Sequence, residues 1–449
     1  MDPVLRKYAS RATPRYTSYP TAPQFQKGFT DAQYRAWLSK LDPATPVSLY
    51  LHVPFCRQMC WYCGCNMKLA SKYGPVGAYA QTLRQEVALT ADALSDRMTV
   101  SHLHWGGGTP TALSSDDLEG VMDGVRARWD FAPDAEIAIE SDPRTLTADM
   151  AARIGAMGFT RASFGVQEFD PAVQKAINRV QPPEMVRASV DQLRGGGVSG
   201  INFDLIYGLP LQTVDSLVET VKLCAEMRPD RVALFGYAHV PWMAKNQRMI
   251  PDDTLPNAAE RSAQAEAAAD ALLAEGYIAI GLDHFALPQD DLAIAAQNGT
   301  LRRNFQGYTT DQAETMIGMG ATSIGRTPSG YVQNIAETGA WARAVEAGQL
   351  PVAKGLPFTG DDRLRAEVIE RLMCDNHVDA AAIGARHGAP EGWWQDATHA
   401  LRDMEADGLV TLSGGKVAMT SRGRPLVRIA AAAFDAYLQD STARHSVAV

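Results

Sequence analysis

The sequence predicts an α/β protein whose main part is a full or partial β/α barrel. Short apolar runs alternate with amphipathic helical stretches over six or seven cycles along the middle of the chain. This alternation predicts a parallel sheet with right-handed crossovers. More than five such units favour closure into a barrel, and a doubly wound open sheet is the alternative that the periodicity leaves open.

The predicted strands are short apolar segments separated by single helices. They cover residues 46–53, 99–105, 136–141, 161–167, 201–209, 231–237 and 277–283. The helix that follows the Ser-Ser-Asp-Asp cap at 114–117 places Leu118, Val121 and Val125 on one face, as a helix packed on a sheet requires. Another helix, over residues 258–275, precedes the last of these strands.

The last hundred residues have a different pattern. They contain several helical stretches and one hairpin, 410–420, which turns at Ser413, Gly414 and Gly415. This mixture predicts a separate small domain, of a kind that includes winged-helix folds. Because its surroundings are acidic, we expect a cap or a structural domain rather than a reader of DNA.

The composition argues against several classes of protein. The chain has 449 residues and a formal net charge of -9, whereas a non-specific nucleic-acid binder needs a basic surface. No signal peptide is evident, and no stretch approaches the roughly 20 apolar residues of a membrane span. We expect a cytoplasmic protein with reduced thiols and no membrane partner. In it, Cys224 and Cys374 are ordinary buried residues.

Four of the six cysteines lie within ten residues, in the segment CRQMCWYCGC at 56–65. Structural zinc sites usually draw their ligands from two separated pairs, whereas an iron–sulfur cluster accepts closely spaced thiolates from one loop. The spacing C-x3-C-x2-C supplies three ligands to a [4Fe–4S] cluster and leaves one iron open for a small molecule. A zinc site with four thiolates is the alternative.

This spacing, after a strand and an H-x-P-F turn, resembles the radical S-adenosylmethionine (SAM) superfamily. The run GGGTPT after the second strand is similar to the glycine-rich loop of that superfamily, and it lacks the lysine of a P-loop. Ten motifs in order resemble the oxygen-independent coproporphyrinogen III oxidases: PRYTSYPT, LHVPFCRQMCWYCGCN, HWGGGTPT, EIAIESDPR, FGVQEFD, NRVQ, NFDLIYGLP, YAHVP, GLDHFALP and NFQGYTT.

The resemblance covers almost the whole chain and implies its architecture. It implies a partial (β/α)6 radical-SAM barrel over residues 41–355. An N-terminal arm, residues 1–40, would lie over the barrel mouth. Residues 356–449 would form a mostly helical C-terminal domain with a small hairpin.

The resemblance also implies the residues of the site. Cys56, Cys60 and Cys63 would bind the cluster, and Cys65 would act in turnover by facing a second SAM molecule or the substrate. The positions implied to hold SAM are Tyr50, Tyr62, Gly107, Gly108, Thr109, Glu140, Gln167, Arg179, Asp204, Ile206, Ala238, Phe305, Gln306 and Ile324. Most of them end predicted strands, where a β/α barrel places its active site.

Simpler interpretations exist for some of these residues. Glu140 could cap the next helix, and Arg179 could be an ordinary surface charge. Asp204 lies in an apolar run, where an unpartnered carboxylate would be costly, and this favours a function for it. Among the histidines, His52 and His284 are functional candidates, while His102 and His104 are expected to be structural.

The resemblance implies a reaction. Two propionate side chains of coproporphyrinogen III would become vinyl groups, giving protoporphyrinogen IX without oxygen, by way of a 5′-deoxyadenosyl radical derived from SAM. A monomer that receives electrons from a donor such as flavodoxin or ferredoxin is implied as well. The propionates need cations, for which Arg15, Arg302 and Arg303 are the candidates.

Two rival functions share the fold. Heme chaperones related to this family bind a cluster and heme, and other relatives are methyltransferases or cyclopropane-forming enzymes that use two SAM molecules. The chaperones resemble the oxidases less in the N-terminal arm and lack the cysteine after the last ligand. This chain has both PRYTSYPT and Cys65, which favours the oxidase.

Overall fold

The computed structural model describes residues 4, 7, 8, 11 and 13–438. The remaining residues, 1–3, 5, 6, 9, 10, 12 and 439–449, belong to the predicted arm and C-terminal domain and lie outside the described residues. The chain packs as two compact units. The barrel unit is Phe25–Asn257 with Asp311–Pro357, and the second unit is Met1–Gln24, Ala258–Thr310 and Phe358–Val449.

The strands and helices are numbered here in chain order. The strands are β1 (Gln26–Lys27), β2 (Val47–Val53), β3 (Phe55–Cys56), β4 (Lys68–Leu69), β5 (Thr99–Gly107), β6 (Asp130–Ser141), β7 (Arg161–Gln167), β8 (Gly200–Tyr207), β9 (Arg231–Gly236), β10 (Ile278–Ile280), β11 (His284–Ala286), β12 (Arg302–Asn304), β13 (Gly307–Thr309), β14 (Thr315–Met319), β15 (Ile324–Thr327), β16 (Gly330–Asn334), β17 (Val352–Pro357), β18 (His377–Asp379), β19 (Val410–Ser413) and β20 (Lys416–Met419). The helices are α1 (Asp31–Leu38), α2 (Gly74–Ala91), α3 (Ser115–Arg128), α4 (Ala148–Ala156), α5 (Pro171–Ala176), α6 (Pro183–Gly195), α7 (Val214–Glu226), α8 (Ala258–Ala274), α9 (Asp291–Gln297), α10 (Thr338–Glu346), α11 (Asp362–Asp375), α12 (Ala380–Arg386), α13 (Gln395–Ala400), α14 (Arg402–Ala406) and α15 (Val427–Ala432). Among the described residues, every helix falls short of the length and apolar content that a bilayer span requires.

Six parallel strands form the centre of the barrel unit. They follow one another in the order β2, β5, β6, β7, β8 and β9, and helices connect them. The pairing is parallel throughout, as the partners Leu49↔Leu103 and Phe164↔Phe203 illustrate. The predicted partial (β/α)6 barrel is confirmed. On the other side of β2, the sheet continues with the parallel strand β14 and then the antiparallel strands β15, β16, β17 and β1.

The strands bury two faces of different character. On β2, Leu49 and Leu51 are buried apolar residues, while Ser48, Tyr50 and His52 alternate with them and point to the opposite side of the sheet. On this second side, the Ser48 hydroxyl donates to Asp311 and the Tyr50 ring stacks on His104 of β5. Polar residues are therefore concentrated in the barrel interior, and the apolar face packs under the helices.

An ionic layer fills the interior near the amino ends of the strands. Asp311 accepts a hydrogen bond from the Ser48 hydroxyl, and its carboxylate lies 3.1 Å from Nδ1 of His102. Glu136 accepts from Nε of Arg161 at 3.0 Å and lies 3.7 Å from Arg231. Because Asp311, Arg161 and Arg231 are all buried, these groups must satisfy one another.

The segment 277–283 does not add a seventh parallel β/α unit, which differs from the sequence-based prediction. Its strand β10 has three residues and pairs antiparallel with β11. Ile280 packs in a buried cluster of the second unit with Leu292, Leu301 and Tyr308. The apolar run that suggests a seventh β/α unit thus builds another core. For this reason residues 258–310 group with the C-terminal segment rather than with the predicted 41–355 barrel.

The second unit has its own core. Tyr8, Tyr16 and Tyr19 of the N-terminal segment pack in one buried cluster with residues of α11 and α15, including Leu372 and Val427. Tyr16 donates to Asp435 at 3.0 Å. The predicted hairpin is β19–β20, which turns at 413–416, and β18 adds a third strand. Cys224 and Cys374 are buried, as expected, in the barrel unit and the second unit respectively.

The His102–Asp311 pair makes stability depend on pH. Burial acts to lower the pKa of His102, but the hydrogen bond to Asp311 and its negative charge raise the pKa above the usual value of 6.5. A raised folded-state pKa gives stabilisation that is complete below the unfolded value and is lost as the pH rises through the folded value.

We expect His102→Gln to be less stable than the wild type at low pH, with a difference that shrinks as the pH rises above about 6.5, the usual histidine pKa. The free energy of unfolding, measured by denaturant titration over that range, checks this trend. His377→Gln removes an exposed histidine and should show no such trend. A difference that stays constant with pH would contradict the assignment.

Candidate functional site

The cysteine loop, residues 56–67, leaves the barrel just after the carboxyl end of β2 and is closed at its base. Strand β3 pairs in parallel with β4, so that Phe55 lies opposite Lys68 and Cys56 opposite Leu69. The Ala70 N–H donates to the Cys56 carbonyl at 3.0 Å. Both ends of the loop are therefore fixed to each other, and the thiols lie between them.

Side-chain amides from other segments hold the loop backbone. Nδ2 of Asn246 lies 3.1, 3.1 and 2.8 Å from the carbonyl oxygens of Cys60, Trp61 and Cys63, to which it donates. Nε2 of Gln247 donates to the Tyr62 carbonyl at 2.8 Å. These two residues are missing from the sequence-based prediction, because they lie in a short 3-10 helix, Lys245–Met249, which is too short for a periodic pattern to mark them.

Two buried arginines contact one of the thiols. Arg144 and Arg179 each have a nitrogen 3.4 Å from Sγ of Cys60, and Asp142 lies 2.6 Å from Arg144 and 3.6 Å from Arg179. Burial acts to raise the pKa of Asp142, but the two guanidinium groups lower it below its usual value. Since Arg179 is buried, it is not an ordinary surface charge.

Asp142 and Arg144 are a second pair that sequence reasoning missed. Both belong to the motif EIAIESDPR, and they follow directly after β6. A charged pair at the end of a barrel strand is a signal that could have been used, because barrel active sites are built from such positions.

The remaining thiols differ from one another. The Cys65 N–H lies 3.4 Å from Sγ of Cys63, and the hydrogen bond from the Cys65 thiol lowers the pKa of Cys63 to about 6. The pKa of Cys65 is raised because its thiol is the donor in that bond. Burial raises the pKa of Cys56 to about 11, and Thr109 lies 3.6 Å from its sulfur. The pair of Cys63 and Cys65 is therefore asymmetric, with Cys65 donating and Cys63 accepting.

The glycines after β5 permit a close approach of two backbones. A Cβ added to Gly108 would lie 2.7 Å from the Phe55 carbonyl oxygen, and one added to Gly107 would lie 2.7 Å from the His52 ring. Gly107 also has a φ of +119°, which side chains disfavour. The Gly108 N–H donates to the Val53 carbonyl at 2.9 Å. These glycines therefore hold the end of β5 against the start of the cysteine loop.

Glu140 lies in a polar cluster in the barrel interior. It accepts from the Gly107 N–H at 3.2 Å and contacts Nε2 of His104 at 3.2 Å. The next helix, α4, is capped by Thr147 instead, so the capping interpretation of Glu140 is wrong. The Tyr50 ring stacks on His104, and its hydroxyl lies 2.9 Å from Nδ1 of His52. His104, expected to be structural, is part of this cluster.

Gln167 and Asp204 are neighbouring groups with unusual properties. Gln167 ends β7 with a φ of +68°, and within the barrel unit its buried Oε1 has no hydrogen-bond partner. Burial, followed by the charge of Glu140, raises the pKa of Asp204 to about 7. Strained backbone and an unsatisfied buried acceptor are typical of ligand sites. The residues therefore fit a ligand that brings N–H or O–H donors.

Most of the predicted site residues come together at the carboxyl ends of the barrel strands. These are Tyr50, Cys56, Cys60, Tyr62, Cys63, Cys65, Gly107, Gly108, Thr109, Glu140, Gln167, Arg179, Asp204, Ile206 and Ala238. In the described residues, no three Cys, His, Asp or Glu side chains converge as ligands of a single ion. A [4Fe–4S] cluster makes a different demand, since each thiolate binds a separate iron of the cube. Three thiols on one fixed loop, with two arginines beside the Cys60 sulfur, fit a cluster in which each cysteine binds its own iron.

Three predicted positions lie elsewhere. Ile324 is the first residue of β15 in the barrel unit. Phe305 and Gln306 belong to the second unit, at the turn between β12 and β13, where the Gln306 N–H donates to the Asn304 side chain at 2.9 Å. A role in holding SAM stays a prediction for all three.

The arginines proposed for propionates, all in the second unit, have different surroundings. Arg302 donates to Glu370 at 2.8 Å, and Arg15 is exposed. Arg303 lies 4.4 Å above the Tyr308 ring, and its buried Nε and Nη1 have no hydrogen-bond partner among the described residues. His284 contacts Asp283 at 2.7 Å. Of the buried or half-buried candidates, Arg303 therefore keeps two donors that the described residues do not engage.

Comparisons with known proteins agree with this site. Residues 50–224 match the radical SAM superfamily, and residues 358–426 match the HemN C-terminal domain. The chain is 51% identical over 443 residues to the oxygen-independent coproporphyrinogen III oxidase of Bradyrhizobium diazoefficiens, covering 98% of each. It is 39% identical to that of Salmonella typhimurium, covering 97% of this chain and 95% of the relative. The structure of coproporphyrinogen III oxidase from Escherichia coli, a radical SAM enzyme, is similar with a TM-score of 0.90, 37% identity and 94% and 98% coverage.

We expect Asn246→Ala to weaken retention of iron, because the loop loses the amide that holds three of its carbonyls. Outer partners of metal ligands typically change metal affinity by about 10-fold to 100-fold. Iron content after anaerobic reconstitution, and its loss to a chelator, measure the effect. Asn298→Ala, which removes an exposed amide in the second unit, is the control. Equal retention in both variants would contradict the clamping role.

Proposed function

Because the chain belongs to the family of oxygen-independent coproporphyrinogen III oxidases, we propose that it converts two propionates of coproporphyrinogen III to vinyl groups. The product is protoporphyrinogen IX, an intermediate on the way to heme. One observation carries this proposal: a C-x3-C-x2-C loop is clamped at the carboxyl end of a parallel barrel, in a chain similar to these oxidases over nearly its full length.

The cofactors that the superfamily implies are a [4Fe–4S] cluster and SAM. Cys56, Cys60 and Cys63 would hold the cluster, and Arg144 and Arg179 place two positive charges beside the Cys60 sulfur. When bound, the cofactors supply the radical chemistry that removes a hydrogen atom from the β-carbon of a propionate. The protein binds, orients and shields them.

The polar residues of the interior can be described as two sets, linked through Glu140 and Asp204, and together they offer enough acceptors to support two SAM molecules. One set is Tyr50, Gly107 and Glu140, linked through His104. The other is Gln167 with Asp204, near Arg179. Each set offers acceptors for an ammonium group. Arg179 adds a cation, which suits a carboxylate.

Substrate binding needs groups that pair with carboxylates in a chain whose net charge is negative. Arg303 is our candidate, because a guanidinium binds a carboxylate through two parallel hydrogen bonds and two of its nitrogens are unpartnered among the described residues. A monomeric enzyme in the cytoplasm, supplied with electrons by flavodoxin or ferredoxin, stays a prediction from the family resemblance.

Anaerobic reconstitution with iron and sulfide, followed by turnover with coproporphyrinogen III and SAM, tests the proposed function. We expect protoporphyrinogen IX and 5′-deoxyadenosine to form together.

Cys65→Ala should keep the wild-type iron content and lose turnover, because its thiol lies beside the cluster ligands without being one. Cys60→Ala should lose iron. Unchanged coproporphyrinogen III with tightly bound heme would instead support a heme chaperone, and iron loss in Cys65→Ala would contradict its assignment.

We expect Arg303→Lys to raise KM for coproporphyrinogen III by about tenfold with little change in kcat, because lysine keeps the charge but loses the paired donors. Steady-state kinetics over a range of substrate concentrations measure this split. Arg302→Lys is the matched control, since Arg302 is engaged by Glu370. An equal effect of both substitutions on KM would remove Arg303 as the carboxylate-binding residue.

A further inference from the structure

Glu168 is a buried acid, next to Gln167 in the motif FGVQEFD, that the proposed chemistry does not use. Among the described residues, the groups that donate hydrogen bonds to its carboxyl oxygens are all neutral. Burial raises the pKa of this carboxyl group above its usual value of 4.5. Because a buried carboxyl group without a cation is costly to keep, its position in the barrel needs a physical reason.

Four donors converge on the two oxygens of Glu168. The N–H groups of Phe169 and Asp170 donate to Oε1 at 2.8 and 3.0 Å, and the Thr220 hydroxyl donates to the same oxygen. Nε2 of Gln212 donates to Oε2 at 2.8 Å. Because these donors need both oxygens as acceptors, their arrangement is complementary to a carboxylate. An amide at this position would place a donor of its own against one of them.

The carboxylate holds the turn that carries Gln167. The Glu168 N–H donates to the Val166 carbonyl at 2.9 Å, which makes Gln167 the central residue of a γ-turn. The φ of Gln167 is +68°, and a γ-turn with positive φ is the rare, strained form. Such a conformation persists only where surrounding bonds hold it. The bonds from Phe169 and Asp170 to the carboxylate fix the chain directly after the turn.

The other two donors anchor Glu168 to the next β/α unit. Nε2 of Gln212 also donates to the Ile206 carbonyl of β8 at 2.8 Å, and its Oε1 accepts from the Leu209 N–H at 3.1 Å. Thr220 lies on α7. The carboxylate is therefore fixed by the strand, loop and helix that follow β7, as well as by the chain beside it.

The Gln167 amide presents one acceptor that no protein group uses. A Cβ added to Gly165 would lie 2.4 Å from Nε2 of Gln167, so the amide lies directly over this glycine. Nε of Arg179 donates to the Gly165 carbonyl at 3.0 Å. Among the described residues, the buried Oε1 of Gln167 has no hydrogen-bond partner. The direction of this oxygen depends on the turn, and the turn depends on Glu168.

We infer that Glu168 is a positioning residue for SAM, because it fixes the turn that aims Oε1 of Gln167 at a donor of the ligand. The inference rests on the proposed function, in which Gln167 contacts SAM. SAM carries ammonium, amino and hydroxyl groups, and each of them can donate to an amide oxygen. Glu168 itself does not touch the ligand, since both of its oxygens are engaged by protein donors. Its loss should therefore act on SAM through Gln167.

Glu168→Gln replaces one acceptor by a donor at a place where every neighbour donates. After anaerobic reconstitution, the variant should keep the wild-type iron content and bind SAM at least about tenfold more weakly, as expected for one misplaced hydrogen bond. Equilibrium dialysis with radiolabelled SAM measures this dissociation constant without turnover. Glu184→Gln makes the same change at an exposed position of the barrel unit and should bind SAM as the wild type does.

A double-mutant cycle separates positioning from a general loss of structure. Gln167→Ala removes the acceptor that Glu168 aims. In that background, Glu168→Gln should weaken SAM binding by less than about twofold, because the two residues act as one unit. An effect of the same factor in both backgrounds would overturn the inference. Wild-type SAM affinity of the single variant Glu168→Gln would overturn it as well.

Two variants of Thr220 test the same contact, even where Glu168→Gln folds poorly. Thr220→Val keeps the shape of the side chain but removes the hydroxyl that donates to Glu168, and it should weaken SAM binding. Thr220→Ser keeps the hydroxyl and should bind SAM as the wild type does. Equal SAM affinity of the two variants would contradict the role of this contact.

Steady-state kinetics separate failure of the inference from failure of the proposed function. Glu168→Gln should raise KM for SAM and leave KM for coproporphyrinogen III unchanged. A change confined to KM for coproporphyrinogen III would refute the inference alone. A wild type that binds SAM without converting coproporphyrinogen III would refute the proposed function, and the double-mutant cycle in SAM binding would still decide the role of Glu168.

Discussion

The position of the cysteine loop is the constraint on which the rest of the site depends. A loop with three proposed cluster ligands in eight residues, 56–63, has little regular structure of its own, so its conformation must come from its surroundings. Its base is paired through β3 and β4, Asn246 and Gln247 hold its carbonyls, and Arg144 and Arg179 contact one sulfur. These groups come from distant parts of the sequence. A parallel barrel suits this arrangement because all its strands end at one edge.

The two ends of the barrel interior differ in how well their polar groups are satisfied. At the amino ends of the strands, Asp311 pairs with His102 and Ser48, and Glu136 pairs with Arg161. At the carboxyl ends, Oε1 of Gln167 and Nε2 of His52 are buried without a partner within the barrel unit. Unsatisfied buried groups cost stability. The unsatisfied atoms at the carboxyl ends therefore lie where a ligand can bind them.

The sequence predicts the barrel well because periodicity reports burial. The six parallel strands alternate or run apolar as a sheet under helices requires, and the resemblance supplies the three cluster ligands. The segment 277–283 misleads, since a three-residue strand in an antiparallel pair looks the same locally as a parallel one. Asn246 and Gln247 cannot be found in this way, because a side chain that binds a distant carbonyl leaves no periodic trace. The contact of His104 with Glu140 is missed for a similar reason, because alternation along a strand does not reveal which side chain lies across the barrel.

The approach of Gly108 to Phe55 has a consequence at the level of the gene. Glycine is encoded by four codons that begin with two guanines, and every missense change of one base introduces a residue with a Cβ. At this position that atom would lie 2.7 Å from the Phe55 carbonyl oxygen, at the root of the cysteine loop. No single-base missense step at codon 108 avoids this clash, so a lineage that keeps the cluster has no easy mutational route away from glycine there.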